Sequence, residues 1–213
     1  MRLNIKNYIL IIILTGLFSC EKQEPVHYYI PDEVKTYGDF KIGSYWVYMV
    51  DSVNNEDSIW ITDYNVGQNE EVIDKKVISV FEKITINITS KLDINNYIEI
   101  NAEKKYNLLG FGEIDNNHNI SYGVSFFYKN GFMPRQGSED SIIIYNSYSI
   151  IGKNYENVLY RKTYNPILNL NDYTREYDTL EYWVAKNVGV IKKIIRNKYE
   201  NHTYYLKRYN VIQ

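Results

Sequence analysis

Residue types that could do chemistry are few and scattered in this sequence. The only histidines are His27, His118 and His202, and none has histidine, cysteine or carboxylate partners at metal-ligand spacing. The chain also lacks a Gly-x-Ser-x-Gly nucleophile motif and a glycine-rich phosphate loop. We therefore predict no catalytic residue, no cofactor and no metal site. A catalytic carboxylate pair from distant strands stays open, because such pairs need not be neighbours in sequence.

One recurring tripeptide consists of an aspartate, a hydroxyl residue and an apolar residue in that order. It occurs four times, and its hydroxyl residues are Ser52, Ser58, Ser141 and Thr179. The pattern resembles the O-glycosylation acceptor of exported Bacteroidota proteins, which implies glycans at these four residues. Aspartate and serine also cap turns where strands begin, and this use produces the same order of residues. Both interpretations stay open.

The only cysteine, Cys20, ends an apolar run near the start of the chain. The first residues carry Arg2 and Lys6 and no acid, and residues 8–18 are nearly all apolar. A basic start followed by a short apolar run is typical of a secretory signal. A stable transmembrane helix needs about 20 apolar residues, which is more than this run offers. The end of the run, Leu17 to Cys20, resembles the lipobox of bacterial lipoproteins.

This resemblance implies that residues 1–19 are a cleaved signal peptide and that Cys20 carries the lipid. Such proteins bear a diacylglyceryl group and an amide-linked acyl chain such as palmitate. Each buried methylene contributes about 0.8 kcal/mol, so two or three chains hold a protein on a membrane. We expect the protein in the cell envelope, at the outer membrane. Whether it faces the periplasm or the cell surface stays open. Residues 20–39 should form a flexible tether, and residues 40–213 a single domain.

The composition narrows the classes of partner. Loss of Arg2 and Lys6 with the signal leaves 22 basic and 26 acidic residues, a net charge near −4. A mildly acidic chain lacks the basic footprint that nucleic-acid binding needs. With one cysteine the chain forms no internal disulfide, so its core alone must stabilise it. The 23 tyrosines, together with many isoleucines, favour the half-buried surface of a β-sheet.

Alternation with a period of two residues dominates the chain from Phe40 onward. The segments 44–53 and 57–66 predict a hairpin with a turn at Asn54-Asn55. Further strands are predicted at 84–89, 94–102, 105–114, 120–129, 141–150, 156–164, 176–186, 188–197 and 202–212. Strands that follow one another usually pair. We expect an all-β fold: a large, curled antiparallel meander sheet, either an open half-barrel or barrel-like, with little helix outside the signal peptide. A sandwich stays open.

Three segments of the predicted domain carry a family resemblance. They read FKIGSYWVY at 40–48, GKNYENV at 152–158 and YWVAKNVGVIKK at 182–193. They resemble the PLxxGNxWxY opening, a GKxYxNV segment and the YYxAKxVGxIKK hairpin of uncharacterised Bacteroidota lipoproteins, and depart at Ser44, where Asn is commoner. The resemblance implies an exported, anchored, β-rich domain and supplies no activity.

The aromatic residues are interpreted mainly as packing residues. Trp46 and Trp183 are expected to anchor the core or its rim, because aromatic side chains bury the largest areas. Tyr204 and Tyr205 should face opposite sides of one strand, so that one of them contacts water. Cross-strand packing is the favoured role of these tyrosines, and a groove for sugar or lipid is the alternative.

Three functional hypotheses follow. The first is a non-enzymatic binding or structural module of the envelope, whose ligand could be a protein, a glycan or a lipid. The second is a carrier of an apolar ligand, which requires an empty apolar cavity of several hundred Å3, as ligand pockets generally have. The third is a hydrolase acting on envelope polymers, which requires a cleft with converging titratable groups.

Overall fold

A computed structural model describes residues 24–51, 55–91, 95–115, 120–133, 142–164, 168–169, 179–197 and 201–213. Its elements are β1 (Val26–Tyr28), α1 (Asp32–Gly38), β2 (Tyr45–Val50), β3 (Asn55–Ile73), β4 (Lys76–Ser90), β5 (Asn95–Asn101), β6 (Asn107–Asp115), β7 (Ile120–Tyr128), β8 (Phe132–Met133), β9 (Ile142–Ile150), β10 (Lys153–Tyr164), β11 (Leu168–Asn169), β12 (Thr179–Ala185), β13 (Gly189–Arg196) and β14 (Asn201–Asn210). The described residues are therefore mostly strand, with a single seven-residue helix.

All the strands belong to one sheet, in the order β11-β7-β6-β5-β4-β3-β2-β14-β13-β12-β10-β9. In addition, β1 pairs with β4 and β8 pairs with β7. Thirteen strands form the antiparallel meander, and β1 alone pairs in parallel. Strands β2 to β7 follow chain order, and the pairing of β14 with β2 joins them to the C-terminal strands.

The sheet curls without closing into a barrel, which confirms the predicted all-β, curled meander. Between β10 and β12 the chain reaches the far edge, where β11 pairs with β7. Strand β7 also contacts β10 and β12. The curl therefore brings both halves of the sheet around one core. Most of the predicted strands agree with the observed ones to within about three residues at each end.

Two parts of the chain differ from the sequence expectation. No strand is predicted between residues 66 and 84, whereas β3 and β4 continue into this region. The polar segment of β3 pairs with β4 as far as Ile73 and Lys76. Residues 26–39, which we assigned to the tether, contribute β1 and α1 to the folded domain. Val34 and Tyr37 of α1 are buried in the core. A short amphipathic helix of seven residues gives too little periodicity to be recognised.

The core lies on the concave face of the sheet, and α1 packs against β5 and β6. Trp46 is buried there, and its indole Nε1 donates a hydrogen bond to the carbonyl oxygen of Val188 at 2.6 Å. The turn before β13 places Gly189 at a φ of 90°, which residues with a Cβ avoid. A Cβ there would also lie 3.0 Å from Phe40 Cε2. This turn thus links the helix segment to the C-terminal strands.

Candidate functional site

A row of polar side chains crosses the concave face of the sheet. Arg161, Tyr182, Lys193 and Tyr204 are cross-strand partners on β10, β12, β13 and β14, and all four are buried. Facing them from β6 is Glu113, also buried. The curl of the sheet, and no local sequence pattern, brings Glu113 to this row.

Glu113 binds three of the surrounding residues with its two carboxylate oxygens. Its Oε1 accepts hydrogen bonds from Tyr182 Oη at 2.6 Å and from Lys193 Nζ at 2.5 Å. Its Oε2 accepts one from Tyr122 Oη at 3.1 Å. The Lys193 ammonium also lies 4.2 Å from the ring centre of Tyr204. We call Glu113, Lys193, Tyr122 and Tyr182 the inner cluster. Its charges are paired and hydrogen-bonded, as buried charges must be.

A cavity of about 40 Å3 adjoins the inner cluster, lined among others by Trp46, Phe111 and Tyr48. This volume holds a few water molecules and is far below that of a ligand pocket. Burial and the nearby Glu113 carboxylate raise the pKa of Tyr48 well above its ordinary value, which keeps this wall neutral. The inner cluster can thus stabilise the fold, but it offers no room for a sugar unit or an acyl chain.

A second row occupies the convex face. On each strand its residue is the sequence neighbour of a residue in the first row. Tyr160, Trp183, Lys192 and Tyr205 are successive cross-strand partners on β10, β12, β13 and β14. Tyr145 and Tyr148 of β9 extend the row to the edge of the sheet. We call these six residues the outer row. All are half-buried except Trp183, which its neighbours cover.

The contacts within the outer row are close. The ring centres of Tyr160 and Trp183 are 4.6 Å apart, and those of Tyr148 and Trp183 are 6.0 Å apart. Lys192 Nζ lies 4.3 Å from the Trp183 ring and 5.4 Å from that of Tyr205. Partial burial lowers the pKa of this ammonium. Trp183 Nε1 has no hydrogen-bond partner within the part of the chain that the structure describes.

A carboxylate lies beside the outer row. Glu181 Oε2 accepts a hydrogen bond from Tyr160 Oη at 2.9 Å. Glu181 Oε1 lies 3.5 Å from Arg196 and 3.7 Å from Lys162. Burial and the hydrogen bond to Glu181 raise the pKa of Tyr160. The convex face therefore combines aromatic rings with charged groups of both signs, a mixture found in protein interfaces.

The outer row ends at an edge strand. Among the described residues, β9 pairs with β10 only. Its Ile143 and Ile144 are 41% and 52% exposed. Over the described residues, this edge of nine residues begins with three isoleucines and offers a ladder of unpaired backbone groups, which another extended chain can complete.

The structure describes two of the five residues that the sequence singled out for modification. Ser58 lies within β3 and Thr179 begins β12, both half-buried. Cys20, Ser52 and Ser141 lie outside the described residues. The aspartate before Ser58 is buried, and its Oδ1 accepts a hydrogen bond from Ser90 Oγ at 2.7 Å. The structure brings none of the described candidates together, and their modification stays a prediction.

The remaining sequence candidates occupy separate places. His27 is exposed in β1, His202 lies in β14, and His118 is outside the described residues. Over the described ranges, no three His, Cys, Asp or Glu side chains form a group that could hold a metal ion. Tyr204 is buried and Tyr205 is half-exposed, which confirms that they face opposite sides. Sequence reasoning missed Glu113 and Lys193, since 80 residues separate them.

Comparisons with known proteins give no relative. No protein-family model, no curated protein and no solved structure matches the chain. In the described ranges, none of the helices has the length and apolar character to cross a membrane. A function can therefore be inferred only from the sequence and from the geometry of the two rows.

Proposed function

We propose that this chain is a lipid-anchored protein of the cell envelope that binds a partner protein and catalyses no reaction. The observation that carries the proposal is the outer row, where aromatic rings and the Lys192 ammonium lead across four strands to the open edge of β9. Cys20, placed after an apolar signal, supports the anchor. The resemblance to Bacteroidota lipoproteins supports the location at the outer membrane.

The interior supports a binding role over the carrier and the hydrolase. A carrier needs an apolar cavity of several hundred Å3, whereas the inner cavity measures about 40 Å3. The larger cavities, of about 470 and 440 Å3, lie along strands β3 and β4, and charged residues such as Glu82 and Glu71 are part of their lining. A hydrolase needs converging titratable groups that substrate can reach. Among the described residues, such groups converge at the inner cluster, where Glu113 and Lys193 are buried and already paired. They also converge beside the outer row, where Glu181 is already bound by Tyr160 and lies near Arg196 and Lys162.

We infer that the partner contributes an extended segment along β9. Backbone groups of an edge strand give affinity to an added strand, while side-chain pockets beside it give specificity. Ile143 and Ile144 provide apolar contacts at this edge. Tyr145 and Tyr148 provide the aromatic anchors that dominate protein interfaces. A glycan would use the rings but would leave the backbone ladder unpaired, so the edge favours a polypeptide.

Hydrogen exchange of the full-length protein tests this proposal. We expect the β9 amides to exchange severalfold more slowly in native envelopes than after extraction into detergent. Ile144→Lys should remove this difference, because a charge on an edge strand opposes pairing. Ile42→Lys is the matched control, since Ile42 is an exposed isoleucine remote from β9 in sequence and 60% exposed.

Three outcomes would overturn the proposed partner. Equal exchange of β9 in envelopes and in detergent would show that the edge is unoccupied. Protection that persists in the purified protein and grows with its concentration would assign the edge to a second copy. Protection that is lost when envelope glycans are digested would assign the face to a glycan.

A further inference from the structure

The hairpin of β3 and β4 extends past its neighbours in the sheet. Strand β3 pairs with β2 only from Asn55 to Trp60, while its pairing with β4 continues to Ile73. Strand β5 covers β4 only from Lys83 onward. Residues 68–82 therefore form an arm with which neither β2 nor β5 pairs. The segment after β5 contacts its side, where Lys104 forms an ion pair with Glu71. Ordering an arm of this length costs conformational entropy. The compact core does not require the arm.

The N-terminal strand fixes the direction from which the chain reaches the arm. Strand β1 pairs in parallel with β4, with Val26 opposite Ser79 and Tyr28 opposite Phe81. Because the pairing is parallel, the chain before Val26 comes from the side where β4 begins, which is the tip of the arm. The stacked rings of Tyr28 and Phe81, 5.0 Å apart, hold this register.

Polar contacts also attach the following segment to the base of the arm. The Ile30 backbone N–H donates a hydrogen bond to Glu82 Oε2 at 2.8 Å. Lys35 Nζ donates one to Glu82 Oε1, also at 2.8 Å. The chain from β1 to α1 is therefore joined to the base of the arm at residues 79–82.

The tip of the arm exposes two apolar side chains next to charged residues. Val72 and Ile73 are 55% and 52% exposed. Asp74 and Lys75 form the turn with φ angles of 49° and 64°, and Lys75 and Lys76 are both exposed. Exposed apolar side chains suit the boundary between acyl chains and headgroups. Lys75 and Lys76 can contact anionic headgroups, while Asp74 in the same turn carries the opposite charge.

The chain between Cys20 and Val26 is long enough for the anchor to reach the tip of the arm. Cys20 precedes Val26 by six residues, which span at most about 20 Å. Ser79, opposite Val26, is about 15 Å along β4 from the turn at Asp74 and Lys75. We propose that the tip, residues 72–76, inserts into the interface of the bilayer beside the lipid on Cys20. This inference rests on the proposed lipid anchor.

A probe on the full-length lipidated protein tests the insertion. Because Cys20 is blocked by its lipid, Ile73→Cys introduces the only free thiol for an environment-sensitive fluorophore. Lys91→Cys is the matched control, since Lys91 follows the other end of β4, about 50 Å along the strand. The probe vesicles contain phosphatidylethanolamine and phosphatidylglycerol. We expect lipid-borne quenchers to quench the probe at residue 73 severalfold more than the probe at residue 91.

Intact mass of the same sample separates the possible failures. With the lipid present on Cys20, equal quenching at residues 73 and 91 would overturn the insertion and leave the anchor in place. An unmodified Cys20 would overturn the anchor and this inference together. Lys75→Glu combined with Lys76→Glu, in the probe-labelled protein, should reduce quenching at residue 73, since anionic lipid then repels the tip. Unchanged quenching in this variant would contradict the role of the two lysines.

Discussion

Glu113 and Lys193 form an ion pair of 2.5 Å across the interior of the sheet, from strands β6 and β13. Both residues are buried, and Tyr122 and Tyr182 also donate hydrogen bonds to Glu113. The pair joins the two halves of the curled sheet at a point that backbone pairing does not reach. Because desolvation opposes the Coulomb gain, we expect the pair to add little net stability.

Lys193→Met should therefore destabilise the protein by about 3–5 kcal/mol, since it leaves the Glu113 carboxylate buried without a cation. The double variant Glu113→Gln with Lys193→Met should recover at least half of this loss. Glutamine keeps an acceptor for Tyr182 and carries no charge. Denaturant unfolding measures both values. A single variant as stable as the parent would show that the pair does not hold the interior.

The two buried tryptophans, Trp46 of β2 and Trp183 of β12, allow a matched comparison. Trp46→Phe removes the donor to the Val188 carbonyl, whereas Trp183→Phe removes an N–H that lacks a partner among the described residues. Both variants lose the same ring area. Trp46→Phe should cost about 1–3 kcal/mol more, because it leaves a buried carbonyl unsatisfied. Thermal or chemical unfolding gives the difference, and equal losses would contradict the assigned hydrogen bond.

The turn before β13 predicts a contrast between two glycines. Gly189→Ala should destabilise the protein by about 1–3 kcal/mol, because alanine is strained at a positive φ and its Cβ would press on Phe40. Gly67→Ala is the control, since a Cβ at Gly67 meets no atom within 4 Å. It should be neutral or slightly stabilising through the unfolded state. Equal effects at the two positions, measured by urea unfolding, would refute the strained turn.

The tyrosines predict a loss of stability in alkali. Burial raises the pKa of Tyr37 to about 12, and it also raises the pKa of Tyr48 and Tyr160. In the unfolded chain a tyrosine ionises near pH 10. Between these pH values the folded state keeps protons that the unfolded state releases, so stability falls as pH rises.

The free energy of unfolding should thus fall steeply between pH 10 and 12. Lys192 acts in the opposite direction, because its lowered pKa favours folding as pH rises, but it is one group against several tyrosines. Urea unfolding at a series of pH values measures the slope. A free energy that rises across this window would contradict the burial of the tyrosine hydroxyls.

The strands could be predicted from the sequence where one face of the sheet contacts solvent. In β4 and β5 isoleucines alternate with polar residues, and this period defines both strands without tertiary information. The distal half of β3 could not be predicted, because Asn65, Gln68 and Glu70 give it no apolar period. Its strand conformation comes from backbone pairing with β4. The same holds for β1, which is three residues long.

The two rows also needed the structure. Trp183 and Tyr205 could be identified as packing residues, but their alignment with Tyr160 and Lys192 depends on the register of four strands. A shift of one residue would move every side chain to the other face. Glu113 gave no signal, since an isolated glutamate in a strand is usually solvated. Only the curl of the sheet reveals that it faces Lys193.

The claim that the protein is anchored by lipid can be tested most directly by the intact mass of the mature chain from native membranes. We predict a chain that starts at Cys20 and carries a diacylglyceryl group with an amide-linked acyl chain. The Cys20→Ala variant should be recovered without lipid. A mature chain that starts elsewhere, or that carries an unmodified Cys20, would contradict the account.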